Sequence, residues 1–208
     1  FLMKKNGIDV HMGNAKLASR DTVMVTDADG KSSQLTAKNI IIATGASPFI
    51  LPGVEVDGEK VLTYREAILQ DRLPKSVIIV GSGAIGVEFA TIWNAYGVDV
   101  TIVEMLDRIV PNEDEEISTE LAKAFSKNKI KTLTGHRVEA IIPGEQGVTV
   151  KATSEADSVE LEAEQVLLAI SFQPNTKGLG LEEAGVELTD RGAIAIDERM
   201  ATNIAGIW

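Results

Sequence analysis

Val77-Ile78-Ile79-Val80-Gly81-Ser82-Gly83-Ala84-Ile85-Gly86 is the stretch that decides the fold. Four β-branched apolar residues in a row read as a strand buried on both faces. The six residues that follow are G-x-G-x-x-G, and from residue 84 to 96 apolar side chains recur at helical spacing: Ile85, Phe89, Ile92, Trp93 and Tyr96. Gly97 suits the end of that helix. A glycine-rich turn between a buried strand and a helix is the context in which this hexapeptide binds a dinucleotide. Gly81 allows the tight turn, Gly83 lets a pyrophosphate approach the backbone, and Gly86 lets the helix lie close on the strand. The helix N-terminus then offers free N–H groups and partial positive charge to the phosphates. The structural alternative is a tight strand-to-helix turn that holds no ligand.

Downstream, Val98 to Val103 reads as a second strand, and Glu104 ends it, 18 residues after Gly86. An acid there accepts hydrogen bonds from the adenosine ribose and repels a 2′-phosphate, which favours NAD over NADP. Arg108 lies four residues on, but positions 104 and 105 carry no base. Residues 114 to 128 form an amphipathic pattern with Ile117, Leu121, Ala124 and Phe125 on one face, and Ile130 to Leu133 is a third strand. Period-2 and short apolar runs follow at Arg137 to Ile142, Gly147 to Ala152, Val159 to Leu161 and Val166 to Ile170, with a last short strand at Ala193 to Ile196. The fold class is therefore α/β, a Rossmann-like doubly wound parallel sheet with a β-meander, plus the tail of a second such domain.

That second domain is read from an internal echo. Leu35, Ala37, Ile40, Ile41, Ile42, Ala43 and Pro48 have partners 126 residues later in Leu161, Ala163, Val166, Leu167, Leu168, Ala169 and Pro174. Val23/Val25 and Val148/Val150 match with a slip of one residue. Ile40 to Ala43 is accordingly expected to be a buried strand. The first copy's own glycine-rich turn would fall upstream of Phe1; Phe1 at the start and the apolar stretch running to Trp208 lead to the expectation that both ends of the chain are cut. Between the copies, Thr63-Tyr64-Arg65-Glu66 is a capping box opening a helix to about Arg72, where Pro74 stops it. The expected domains are 1–50, the C-terminal part of an FAD-binding domain; 51–72, a connection; 73–172, an NAD-binding domain; and 173–208, a return segment.

Composition excludes other classes. The 208 residues are 44% hydrophobic and carry a formal charge of −11 with no cluster of Lys or Arg, which argues against nucleic acid or an anionic membrane as partner. No apolar run reaches the roughly 18 residues of a membrane-spanning helix. Cysteine is absent, and the two histidines, His11 and His136, lack ligand spacing, so no metal site is expected. A cytoplasmic location fits this composition.

Ile40 to Ala46, Val77 to Glu88, Val100 to Pro111 and Pro174-Asn175-Thr176 together resemble the flavoprotein disulfide reductases, most of all their dihydrolipoamide dehydrogenase branch, along the whole chain. The resemblance implies an oxidoreductase: a homodimeric flavoprotein that binds FAD and NAD and passes electrons from dihydrolipoamide through a redox disulfide and FAD to NAD+. Its implied partner is a lipoyl-bearing 2-oxo acid dehydrogenase or glycine cleavage complex. It implies NAD contacts at Gly81, Ser82, Gly83, Ala84, Ile85, Gly86, Glu88, Glu104, Val138 and Ser171. FAD contacts of the intact protein fall at Ala15, Thr44, Gly45 and Ala46. No catalytic residue is expected here, because the redox cysteines and the acid–base His/Glu pair lie outside the chain, so these residues alone are expected to be inactive. Ser171-Phe172 stands where the family usually has glycine then arginine, and Ala84 is smaller than the residue often found there. The rival readings are another flavoprotein disulfide reductase or an NADH oxidase, and a non-catalytic NAD-binding module.

Overall fold

The computed structural model describes all 208 residues. In chain order the elements are α1 (Leu2–Lys5), β1 (Asn14–Ser19), β2 (Thr22–Thr26), β3 (Ser32–Thr36), β4 (Ala46–Pro48), β5 (Val61–Leu62), α2 (Tyr64–Leu69), β6 (Ser76–Val80), α3 (Ala84–Ala95), β7 (Asp99–Val103), α4 (Glu115–Lys127), β8 (Lys131–Leu133), β9 (Arg137–Pro143), β10 (Val148–Thr153), β11 (Ser158–Ala163), β12 (Gln165–Leu168) and β13 (Phe172–Pro174). They fall into two compact units, one made of residues 1–47 and 173–208, the other of residues 48–172.

The second unit is built on a five-stranded sheet in the order β5-β12-β6-β7-β8, with every pair parallel. Its strands alternate between two cores, as the period of a pleated strand requires. Val77 and Ile79 of β6, with Val100 and Ile102 of β7, face a layer containing Ala67, Ala90, Trp93 and Phe125 from α2, α3 and α4. Ile78, Val80, Val103, Val166 and Leu168 face Ile141, Val148, Val150 and Ala152 of the antiparallel meander β9-β10-β11. Burial on both faces is why these strands read as continuous apolar runs rather than alternating ones. The Thr63 capping box forms: the Glu66 carboxylate accepts from Thr63 N at 2.8 Å, and Thr63 Oγ1 accepts from Arg65 N at 3.3 Å.

Two helix faces differ from the sequence reading. In α3 the buried face is Gly86, Ala90 and Trp93, while Ile92 and Tyr96 are exposed. A Cβ on Gly86 would collide with the Gly81 carbonyl oxygen, so no side chain fits at that point of contact. In α4 the buried residues are Ser118 and Phe125, with Leu121 and Ala122 packed beside them, and Ile117 is exposed. Ser118 fits inside because its hydroxyl donates to the Ile109 carbonyl.

The first unit holds a second three-stranded meander, β1-β2-β3. Its middle strand pairs Val23 with Leu35, whereas Val148, the echo partner of Val23, pairs with Ala163 and Val150 pairs with Leu161, so the echo corresponds to two antiparallel meanders whose registers differ by two residues. The echo breaks at the next element. Val166 to Leu168 pairs on both sides, with β5 and β6, whereas Ile40 makes a single parallel bridge to Ile207 and Ile41 is 78% exposed. Ile40 to Ala43 is thus an extended segment with one neighbour and not a strand buried on both faces. Ala193 to Ile196 likewise contributes only an isolated antiparallel bridge, Leu188 to Ile194, in place of the expected strand.

Candidate dinucleotide site

The glycine turn leaves β6 with Gly81 at φ +101°, a region that side chains rarely adopt. A Cβ on Gly81 would also run into the Ala169 backbone. Gly81 and Gly86 are therefore explained by the fold alone. Gly83 is not. Its φ is −68°, available to any residue, and a Cβ built there meets no atom within 4 Å. Nothing inside the chain requires position 83 to be bare. It is the N-cap of α3 and makes no side-chain cap, so N–H groups of the first turn stay open.

Glu104 follows directly on β7 and is buried. Its Oε2 accepts from Ser82 N at 2.9 Å and from Ser82 Oγ at 2.7 Å, and its Oε1 accepts from Leu106 N at 2.9 Å. A carboxylate oxygen has two acceptor positions, so Oε2 is filled and Oε1 keeps one free. The backbone around it is held as well: Glu104 N donates to Leu133 O, His136 N donates to Glu104 O, and Val110 N donates to Ser82 O at 3.0 Å. Val110 achieves this with φ +42°, an outlier for a β-branched residue, while remaining buried. His136, given no role in the sequence reading, joins Thr134 O at 2.7 Å and Asp157 Oδ1 at 3.1 Å. The Ser154 hydroxyl first, then His136, hold the Asp157 carboxyl below its usual range.

Ser171 is exposed and lines a hollow of about 350 Å3 together with Gly83, Ala84, Ile85, Leu168 and Ala169. Its Oγ has one weak contact, to Phe172 O at 3.5 Å, and its carbonyl accepts from Phe49 N. Position 171 thus sits beside the glycine turn, outside the carboxyl ends of β6 and β12, where open α/β sheets bind ligands. Val138 is half-buried in β9 against the meander core. Glu88 is exposed on α3 and borders a different hollow, with Phe89, Ile92 and residues of α2, so the structure does not bring it to Ser171 or Glu104.

In the first unit, Ala15 of β1 and Thr44 line one shallow hollow of about 160 Å3 with Leu17, Val23 and Ile42. Gly45 has φ +71°. The loop Thr44 to Ser47 is fastened to Asn175, whose Nδ2 donates to Thr44 O at 3.0 Å and whose Oδ1 accepts from Ser47 Oγ at 2.9 Å. Asn175 N also donates to Gly45 O, and Thr44 Oγ1 donates to Asn175 O. Sequence reading quoted Asn175 without giving it this work. The constant offset of the echo pairs Thr44 to Ser47 with residues 170–173.

Known proteins share this fold. The model of the pyridine nucleotide-disulphide oxidoreductases matches residues 1–208. A dihydrolipoyl dehydrogenase of Mycobacterium tuberculosis is 48% identical over the whole chain, which spans 45% of that relative, and one of Mycobacterium leprae is 44% identical. Among solved structures, LpdA from Mycobacterium tuberculosis superposes with a TM-score of 0.89 at 32% identity, covering 99% of this chain and 46% of that one. The HOCl-induced flavoprotein disulfide reductase RclA from Escherichia coli gives 0.83 at 30%, covering 97% and 45%. The chain belongs to the pyridine nucleotide-disulphide oxidoreductases, flavoproteins that use FAD and NAD(P).

Proposed function

We propose that residues 73–172 are the NAD-binding domain of a dihydrolipoyl dehydrogenase, which oxidises dihydrolipoamide and reduces NAD+ to NADH. The observation that carries the reading is Gly83: a residue kept bare where neither backbone conformation nor packing demands it, at the open end of a helix. A pyrophosphate lying on Gly83 and the first turn of α3 accounts for it. Ser82 and Glu104 set the adenosine end, where the one free acceptor of Glu104 Oε1 takes a ribose hydroxyl and the buried negative charge opposes a 2′-phosphate. Ala84, Ile85, Ser171 and Val138 complete the dinucleotide contacts, and Glu88 faces the remainder of the intact protein. Ala15, Thr44, Gly45 and Ala46 contribute to FAD binding in residues 1–50, joined by the connection 51–72 and the return segment 173–208. The two cofactors supply the hydride chemistry; this chain's residues bind and orient them. The names of the relatives, dihydrolipoyl dehydrogenase, support the activity; the family resemblance implies a homodimer serving a lipoyl-bearing 2-oxo acid dehydrogenase or glycine cleavage complex in the cytoplasm. Calorimetric titration with NADH and NADPH tests the proposal: NADH is expected to bind more tightly, and equal affinity or a preference for NADPH overturns it.

A further inference from the structure

The strand order gives the bound dinucleotide a direction. Glu104, at the end of β7, lies on one side of β6 in the sheet, and β12 and β5 lie on the other. A dinucleotide with its pyrophosphate at the β6 turn and its adenosine ribose at Glu104 must send its other half over the carboxyl ends of β12 and β5. The residues waiting there are Ile170 to Phe172 beyond β12 and Tyr64 just beyond β5.

Phe172 and Tyr64 both line the hollow that contains Gly83, Ala84 and Ser171. Their rings form a tilted pair with centroids 5.9 Å apart and planes at 59°. Phe172 is 46% exposed, so a large apolar face stands open beside the nucleotide turn. No Asp, Glu, Lys, Arg or His lines this hollow, so beyond Gly83 and the first turn of α3 it offers an apolar surface to a flat ring and no charged partner. Ala84 lines the same hollow, and its side chain is a single methyl group. The Arg65 guanidinium lies 5.9 Å from the Tyr64 ring centroid.

We propose that Tyr64 and Phe172 form an aromatic wall that receives the nicotinamide ring and discriminates for it, an inference that rests on the NAD-site reading above. The wall contacts only the nicotinamide end, so its loss separates ligands that share the rest of the molecule. ADP-ribose carries the adenosine, both phosphates and the second ribose but no nicotinamide.

The test is a pair of equilibrium titrations, NADH and ADP-ribose, on the 208-residue chain and its Phe172→Ala, Phe172→Leu and Tyr64→Leu variants, with far-UV circular dichroism as a check on folding. Phe172→Ala is expected to weaken NADH about tenfold, the size of a lost aromatic contact with its buried area, and ADP-ribose less than about twofold. Phe172→Leu should fall between Ala and the parent. Equal weakening of both ligands would make the pair a scaffold element and overturn the proposal, as would unchanged NADH affinity in folded variants. A parent chain that binds ADP-ribose but gains nothing from the nicotinamide ring overturns this proposal alone. A parent that binds neither ligand overturns the NAD-site reading with it.

Discussion

Ser82 gives both its backbone N–H and its hydroxyl to a single oxygen of Glu104, at 2.9 and 2.7 Å, and both residues are buried. The acid proposed to set cofactor choice is therefore also a brace for the turn proposed to hold the phosphates. Ser82→Ala removes one charge-assisted hydrogen bond, with an expected loss of about 1.5–3 kcal/mol of stability. NADH affinity should fall in parallel, because Glu104 then holds the turn through the backbone N–H of position 82 alone. Thermal unfolding together with NADH titration measures both; a stable variant with unchanged affinity would remove Ser82 from the brace.

The three glycines of the turn should part company when each is replaced by alanine. Gly83→Ala is expected to keep the parent's melting temperature, since the added methyl meets nothing within 4 Å, and to lose most NADH binding. Gly81→Ala and Gly86→Ala each drive a Cβ into backbone atoms and should cost at least about 1–3 kcal/mol of stability. A Gly83→Ala protein that binds NADH as the parent does would remove the main support for a pyrophosphate at that position.

Ser171→Gly is expected to leave stability within about 0.5 kcal/mol, as for surface positions without special contacts. Its hydroxyl has only one long contact, to its own neighbour. NADH affinity should stay the same or improve by up to about tenfold, the equivalent of 1.4 kcal/mol. Comparing Ser171→Gly with Ser171→Ala decides the matter: clear weakening in both would show that the hydroxyl is a favourable cofactor contact.

Acid sensitivity should trace in part to Asp57. Its Oδ1 accepts from the backbone N–H groups of Glu59, Lys60 and Val61 at 2.9, 2.8 and 2.8 Å. Partial burial pushes its carboxyl up, but those three donors outweigh burial and leave it lowered. A carboxyl lowered by folding stabilises the protein fully above its unfolded pKa of about 3.9 and loses that contribution as pH falls through the folded value. Asp57→Asn keeps an acceptor oxygen without the titration. The drop in urea midpoint between neutral pH and about pH 3 should be smaller in this variant than in the parent. An identical drop would show that Asp57 contributes nothing to acid unfolding.

The unit around Val77 to Leu168 was legible in the sequence because burial on both faces writes itself as unbroken apolar runs, and because the glycine turn and Glu104 are tied to one geometry. The same pattern misled at Ile40 to Ala43. An apolar run records that a segment prefers neighbours and does not say whether a strand stands on each side. Helix faces were misread for a related reason. Large residues such as Ile117 and Tyr96 attract attention, yet the contact lines of α3 and α4 use Gly86, Ala90 and Ser118, chosen for closeness or for a carbonyl to bond. The Asn175 fastening was invisible because it joins segments 131 positions apart through amide and hydroxyl groups that look ordinary in isolation.

That fastening has a consequence for the order in which the chain matures. The first unit is assembled from residues 1–47 and 173–208, so its final partner for Thr44 leaves the ribosome only after all of Pro48–Phe172 has been made. Synthesis at roughly 5–20 residues per second gives the continuous second unit several seconds in which to fold alone. The N-terminal meander must wait through that interval with Leu17 and Ile40 uncovered, lacking Leu181 and Ile207, which bury them in the finished core. A released chain ending at residue 172 should therefore protect the dinucleotide turn from proteolysis while leaving the first 47 residues open to cleavage.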